Sequence, residues 1–474
     1  MRISSAKAVE QKAYDTDSKN HLDKTTSIIQ SVLTENHQKL LNDAIYGVGE
    51  CQKQIRNVIK DIIRHEKLDV PDMSIDEIAW GVYKFIIGYD VIHDLLLDPE
   101  ITEICVNGPY QITYKKNGIR YLAKDIKFTD LSHLEKITER ILLTCHSEAN
   151  EGSPMVDNAW LPDRSRVVIN KSSIVPSHGI TLNIRRFRDK NFSLEELEKI
   201  GTLKIAEKTR SLNSLNKDCE ENKSIPSEGH SYRQLDFIRD VVRAGATIIV
   251  SGGTHTGKTT LIRTLSSIFQ DLIPDENGPG DSESGLRIIT IENGPELQLA
   301  KYYPGLEVVE MLERDTKYNP IGVEEIYPQV MRMDPDVILV GEIRFPVEAM
   351  YTLRAMRSGH ANTMASIHTY DAESCCQELR TKVQAISNVS DKVINTEIVT
   401  AVDIIIQLGI VDRKIEITQV AELDLNPECN IVIKDIFKRD SDGKMIFNPI
   451  SKKLAYRLIA KGRKNAGDVK RWLV

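Results

Sequence analysis

Residues Gly252-Gly253-Thr254-His255-Thr256-Gly257-Lys258-Thr259 match the pattern G-x-x-x-x-G-K-[ST] in full, and Thr260 follows directly. Residues of these types at this spacing can hold a triphosphate. Glycines let backbone N–H groups turn inward toward phosphate oxygens, and the start of a following helix adds partial positive charge. Lys258 neutralises the β/γ oxygens, and Thr259 offers a hydroxyl to Mg²⁺. Such chemistry also needs carboxylates to organise metal and water. The apolar run "DPDVILVGEIR" delivers Glu342 at its end, and "RIITIE" delivers Glu292. Two acids at the ends of adjacent strands beside a phosphate loop form a candidate catalytic pair. "SGHANTMASIHT" places His360 and His368 around a short strand. A lone histidine is more often a surface or core residue than a ligand, but in this setting both become candidates for sensing the phosphate.

A phosphate loop works only between a strand and a helix. "ATIIV" precedes it, and a helix-forming segment follows. From Tyr232 onward, β-branched runs ("ATIIV", "RIITIEN", "VILVGEI", "TMASIHT", "VDIIIQLG") alternate with helical stretches. Near-continuous apolar strands are buried on both faces, which predicts an α/β sheet flanked by helices. Upstream, Ile55, Val58, Ile59, Ile62 and Ile63 trace one helix face, read as packing against the next domain. From Ile75 the pattern mixes a helix through Ile87 with short strands around 101–107, 112–122, 167–169 and 181–184. Asn117-Gly118 marks a hairpin turn. Residues 208–231 carry few apolar groups and read as a linker, and 274–285 read as an exposed loop. The expected organisation is a helical region over 1–74, a small α+β domain over 75–202, a linker over 203–231 and an α/β P-loop domain over 232–474.

Composition narrows the function. The chain has 474 residues, 62 Lys and Arg against 69 Asp and Glu, and a formal net charge of −7, which argues against a nucleic-acid binder. Its 7 cysteines show no CxxC or metal-ligand spacing and fit a reducing cytoplasm. No apolar run approaches the roughly 20 residues that span a bilayer. Any membrane role is therefore expected to pass through a partner.

In sequence order, "DLLLDPEITEICVNGP", "SPMVDNAWLPDRSRVVI", "TLNIRRF", the phosphate loop, "TIENGPELQL", "RMDPDVILVGEIRFPVEAM" and "SGHANTMASIHT" resemble the type II/type IV secretion and pilus-assembly ATPases, most closely the Tad/Flp branch. The likeness covers roughly residues 75–450. It implies a RecA-like ATPase domain that uses ATP and Mg²⁺, with Thr259 and Glu342 at the metal, Glu292 on the attacking water, and His360 and His368 reporting phosphate state. The family's Asp box falls on Glu292 and Glu296. The resemblance also implies that N-terminal-domain arginines, here Arg166, Arg185 and Arg186, approach the triphosphate, and that the chain works as a homo-hexamer. It would sit at the cytoplasmic face of the cell membrane, on an integral membrane platform protein, powering pilus assembly or secretion. His255, Arg164, Asn293 and Thr369-Tyr370 depart from the family's usual residues. Those departures keep two alternatives open: a slow nucleotide-binding scaffold, and a conjugative DNA-transfer ATPase.

Overall fold

The computed structural model describes residues 21–47, 50–116, 118–150, 152–187, 191–208, 232–272, 286–314, 320–463 and 466–473. The chain divides into two compact units, Met1–Asp189 and Lys190–Val474.

In the first unit, α1 (21–36), α2 (Gln38–Ile45), α3 (Cys51–His65) and α4 (Ile75–Ile86) share one core. Ile29, Leu33, Ile55, Ile59, Ile63, Ile78, Val82 and Ile86 meet there. Ser74 caps α4 by accepting from the Glu77 amide, while the Glu77 carboxylate accepts from the Ser74 amide. The helical region therefore extends through Ile87, beyond the expected boundary at 74, because the apolar face of α4 closes this core and not the sheet's.

After the short helix α5 (His93–Leu97), strands β1 (Ile101–Asn107), β2 (Ile112–Lys116), β3 (Ile119–Leu122), β4 (Met155–Trp160), β5 (Arg166–Asn170) and β6 (Thr181–Arg185) form an antiparallel sheet in the order β3-β2-β1-β6-β5-β4. Lys116 pairs with Ile119 across the predicted hairpin, and Gly118 takes φ +80°; Asn117 lies outside the described residues. Helix α6 (Leu131–Thr144) covers one face, with Leu134, Ile137 and Ile141 set against Ile104, Val106, Val167, Ile169, Leu182 and Ile184. The opposite face is polar, with Arg166, Arg185 and Glu103 in register across it.

The second unit begins earlier than the expected 232. Helix α7 (Leu194–Lys199) and β7 (Ile205–Lys208) belong to it: Leu194, Leu197, Leu203 and Ala206 are buried in its core, and β7 pairs with both β8 (Tyr232–Arg233) and β17 (Met445–Phe447). Residues 209–231 of the linker expected over 203–231, and the loop expected over 274–285, lie outside the described residues. Six strands run parallel in the order β11 (Glu307–Leu312), β10 (Arg287–Glu292), β12 (Val337–Val340), β13 (Met364–Ile367), β9 (Ile248–Gly252), β14 (Ile404–Val411). The sheet continues antiparallel through β15 (Lys414–Leu425) and β16 (Ile431–Arg439) to β17. Alternate residues of one strand enter different cores. Ile248 and Val250 pack with α8 (Gln234–Arg243) and α9 (Lys258–Ser266). Ile249 packs with α11 (Val323–Val330), α12 (Pro346–Arg357), α13 (Ala372–Ile386) and α14 (Asp391–Ala401). This covering of both faces is what the unbroken β-branched runs required.

The base of β9 is tied to α15 (Lys452–Ala460) by one carboxylate. Asp403, 2% exposed, accepts from the Thr247 amide at 2.8 Å and hydroxyl at 2.9 Å, from Lys461 Nζ at 2.5 Å and from Arg457 Nε at 2.5 Å. Burial alone would raise its pKa, but Lys461 and Arg457 outweigh burial and hold it below the usual carboxylate range. Removing the acid takes the acceptor from the Thr247 amide and leaves two cations with carbonyl partners alone, Gly245 for Lys461 and Val399 and Val402 for Arg457. Asp403→Ala is expected to cost about 3–5 kcal/mol of unfolding free energy, measured by urea denaturation.

Candidate functional site

Parallel strands bring their carboxyl ends to one edge, and the loop after β9 lies there. Gly252 ends β9 in a place with no room for a side chain: a Cβ would come within 2.5 Å of Thr256 Oγ1 and 3.0 Å of the Leu408 carbonyl oxygen. Gly257 turns into α9 at φ +83°, and Thr256 Oγ1 donates to the Gly253 carbonyl at 2.8 Å. His255 is exposed and stands at φ +64°. It thus adopts the left-handed backbone a glycine would take. Arg164, another departure from the family pattern, does the same at φ +67°.

Lys258 is 7% exposed, and Nζ donates to the carbonyls of Gly252 at 3.0 Å and Gly253 at 3.1 Å and to His368 Nδ1 at 3.0 Å. Strand β13 lies between β9 and β12, so His368 at its end stands between the loop and Glu342. His368 Nε2 meets Glu342 Oε1 at 2.6 Å, and Arg344 Nε donates to Glu342 Oε2 at 2.7 Å. Burial, then the Lys258 ammonium, lowers the His368 pKa, with Glu342 opposing. The ring is therefore neutral, accepting at Nδ1 and donating at Nε2, and links lysine to carboxylate by hydrogen bonds.

Glu292, at the end of β10, is 3% exposed. Oε1 accepts from Thr290 Oγ1 at 2.9 Å, and Oε2 from the amides of Glu296 at 3.0 Å and Leu297 at 2.8 Å. Its side chain packs over Gly341, where a Cβ would come within 3.1 Å of Glu292 Cγ. This network folds residues 293–297 back toward α9, and Thr259 Oγ1 meets Glu296 Oε2 at 3.3 Å. Glu296, rather than Glu292, therefore touches the phosphate-loop hydroxyl. Asn293 Nδ2 approaches Glu313 Oε2 at 3.5 Å, and the hydroxyls of Thr369 and Ser251 bond to each other.

One expected residue of the second unit lies away from the phosphate loop. His360 precedes β13 at the opposite, amino edge of the sheet, where Nδ1 donates to the Pro335 carbonyl at 2.9 Å and Nε2 is buried without a partner. A strand advances ~3.3 Å per residue, so the whole length of β13 separates it from the phosphate loop. Arg166, Arg185 and Arg186 are on the first unit. Arg166 Nη2 donates to the Asp157 carbonyl at 3.1 Å, and Arg186 Nη1 donates to the carbonyls of Asp98 and Ile101. Arg185 is exposed. Sequence reasoning passed over Arg344, although its position two residues after Glu342 was a signal.

A central parallel sheet with a glycine-bounded lysine loop at its carboxyl edge, and an acid two strands away, defines a P-loop nucleotide-hydrolysing enzyme. The sequence matches the type II/IV secretion system protein family over residues 221–463, just over half of the chain, and the chain belongs to that family of secretion ATPases. It is 28% identical over 342 residues to the type IV secretion system protein VirB11 of Bartonella quintana, covering 69% of this chain and 90% of that one. It is also 28% identical over 345 residues to the uncharacterized protein MJ0781 of Methanocaldococcus jannaschii, covering 71% of this chain and 41% of that one. Among solved structures, the VirB11 ATPase of Brucella suis in complex with sulphate aligns at 21% identity and a TM-score of 0.31, over 70% of this chain and 91% of that one.

Burial raises Glu292 to about 7, with Glu310 and Glu296 adding to it and the Leu297 amide and Thr290 hydroxyl opposing. An acid whose folded pKa is raised binds its proton more tightly when folded, so its contribution to stability falls as pH climbs from the ordinary carboxylate range to about 7. Glu292→Gln is isosteric, neutral and able to satisfy the same partners. Its melting temperature relative to wild type should climb between about pH 5 and pH 8 and then level off. A flat difference across that range would show that the buried carboxyl does not titrate there.

Proposed function

We propose that this ATPase is the motor of a pilus-assembly or secretion apparatus of the Tad/Flp type, acting as a homo-hexamer on an integral membrane platform protein at the cytoplasmic face of the cell membrane. Among the described residues no helix is long and apolar enough to cross a membrane. The observation that carries the catalytic reading is the continuous chain Lys258–His368–Glu342, with Glu296 at the Thr259 hydroxyl.

In this reading the loop amides of Gly253–Thr259 bind the phosphates, and Lys258 leaves its carbonyl partners for the β/γ oxygens. Mg²⁺ fits a donor set of one hydroxyl and one carboxylate completed by phosphate oxygens, here Thr259 and Glu342. When bound, the ion would offset negative charge on the triphosphate. Glu296 holds and deprotonates the attacking water, Glu292 positions Glu296 through its amide, and His368 relays the withdrawal of Lys258 to Glu342. Of the three candidate arginines, Arg185 is proposed as the guanidinium that one copy of the chain offers to the nucleotide of another. Because His255 and Arg164 accept the left-handed backbone their positions demand, turnover is favoured over the scaffold reading. Secretion stays beside pilus assembly because the relatives include type IV secretion proteins; neighbouring pilin or conjugation genes would separate the two.

Lys258→Ala should cut ATP turnover by more than about 10²-fold, while Glu342→Gln should keep nucleotide binding and lose turnover. Wild-type phosphate release from either variant would sink the catalytic assignment. Arg185→Ala should bind ATP normally yet hydrolyse it about 10³-fold or more slowly, and full activity in the Ala variants of Arg166, Arg185 and Arg186 alike would remove the first unit from the mechanism.

A further inference from the structure

Arg263 lies on α9, five residues after Lys258, and is 4% exposed. Nε donates to the Leu297 carbonyl at 2.8 Å and Nη2 to the Glu296 carbonyl at 2.5 Å. The guanidinium carbon stands 4.4 Å from the centre of the Tyr302 ring. The Tyr303 hydroxyl donates to the Arg263 carbonyl at 3.0 Å and accepts from Asn191 Nδ2 at 2.7 Å, and the same amide reaches Thr264 Oγ1 at 3.2 Å.

A buried guanidinium is costly, and this one turns its planar fork on two main-chain carbonyls instead of a carboxylate. Its spacing shows what the cost secures. Thr259 and Arg263 are four residues apart and share one face of α9. That face therefore touches a single residue twice, with Thr259 at the Glu296 carboxylate and Arg263 at the Glu296 carbonyl. The Glu296 amide is already fixed by Glu292. Lys258 starts the same helix, so phosphate contact and carboxylate are held in one rigid frame.

We propose that Arg263 is a positioning residue for ATP hydrolysis: by gripping the main chain of Glu296 and Leu297 from the phosphate-loop helix, it fixes the Glu296 carboxylate relative to Lys258 and Thr259. This rests on the assignment of Glu296 to the attacking water. A lysine at 263 keeps the charge but has no fork to span two carbonyls, and a methionine keeps most of the bulk and neither interaction.

The test is a double-mutant cycle in the full chain, combining Arg263→Met with Glu296→Gln, read by steady-state and single-turnover ATP hydrolysis alongside binding of a fluorescent ATP analogue. Arg263→Met alone should lower kcat about 10- to 100-fold, the loss expected when a reacting group is misplaced by about 1 Å. Its KM should stay within about threefold of wild type, and Arg263→Lys should recover part of the rate. In the Glu296→Gln background the same change should slow hydrolysis by less than about twofold, because the group it positions is already gone. Equal losses in both backgrounds, or a wild-type rate for Arg263→Met, would overturn the proposal. Wild-type turnover in Glu296→Gln alone would instead overturn the Glu296 assignment. If Arg263→Met does not fold, Arg263→Lys takes its place in the cycle, with the same dependence on Glu296 required.

Discussion

Every reactive group of the second unit depends on the parallel pairing of β10, β12, β13, β9 and β14. Parallel strands all finish on one edge, and adjacent strands are only about 4.8 Å apart. The phosphate loop, His368, Glu342 and Glu292 are thereby gathered from positions far apart in the sequence. The order matters as much as the direction. With β13 between β9 and β12, Lys258 and Glu342 are too far apart for direct contact through strand spacing alone, and the side chain at the end of β13 must mediate. An imidazole suits that role because its two nitrogens face opposite ways, one accepting and one donating.

Around this edge the protein spends buried charge rather than apolar packing. Glu292 and Arg263 are both nearly inaccessible, and both direct their charge at the main chain of residues 296–297. Burial lowers the Arg263 pKa, and the nearby Glu292 and Glu296 carboxylates are among the groups that oppose that shift. An apolar pair would fold more cheaply but would leave the amides and carbonyls of that turn without partners. The turn is therefore specified by hydrogen bonds with fixed directions.

Where sequence and structure agree, the cause is local. The phosphate loop and the β-branched strands are set by neighbouring residues and were legible. The Asn117-Gly118 turn was legible in the pairing of Lys116 with Ile119. What was illegible depended on contacts distant in sequence. Nothing in "IENGPE" distinguishes the acid that bonds amides from the acid that meets Thr259; that follows from the chain doubling back to α9. His360 and His368 look equivalent in "SGHANTMASIHT", yet they lie at opposite ends of one strand. The helix at 75–86 belongs to the helical core because of its partners, which its own pattern could not name.

Asp403 joins Thr247, 156 positions before it, to Arg457 and Lys461, 54 and 58 positions after. These residues cannot meet early. During synthesis the chain leaves the ribosome from its amino end, and β9 emerges long before α15. Until Lys461 is free of the exit tunnel, the Asp403 carboxylate faces Thr247 without its cations, in a place that is dry when folding is complete. The floor beneath the phosphate loop thus closes only after α15 has emerged. The first unit carries its own two cores, so all of its contacts are available before α15 can close the second.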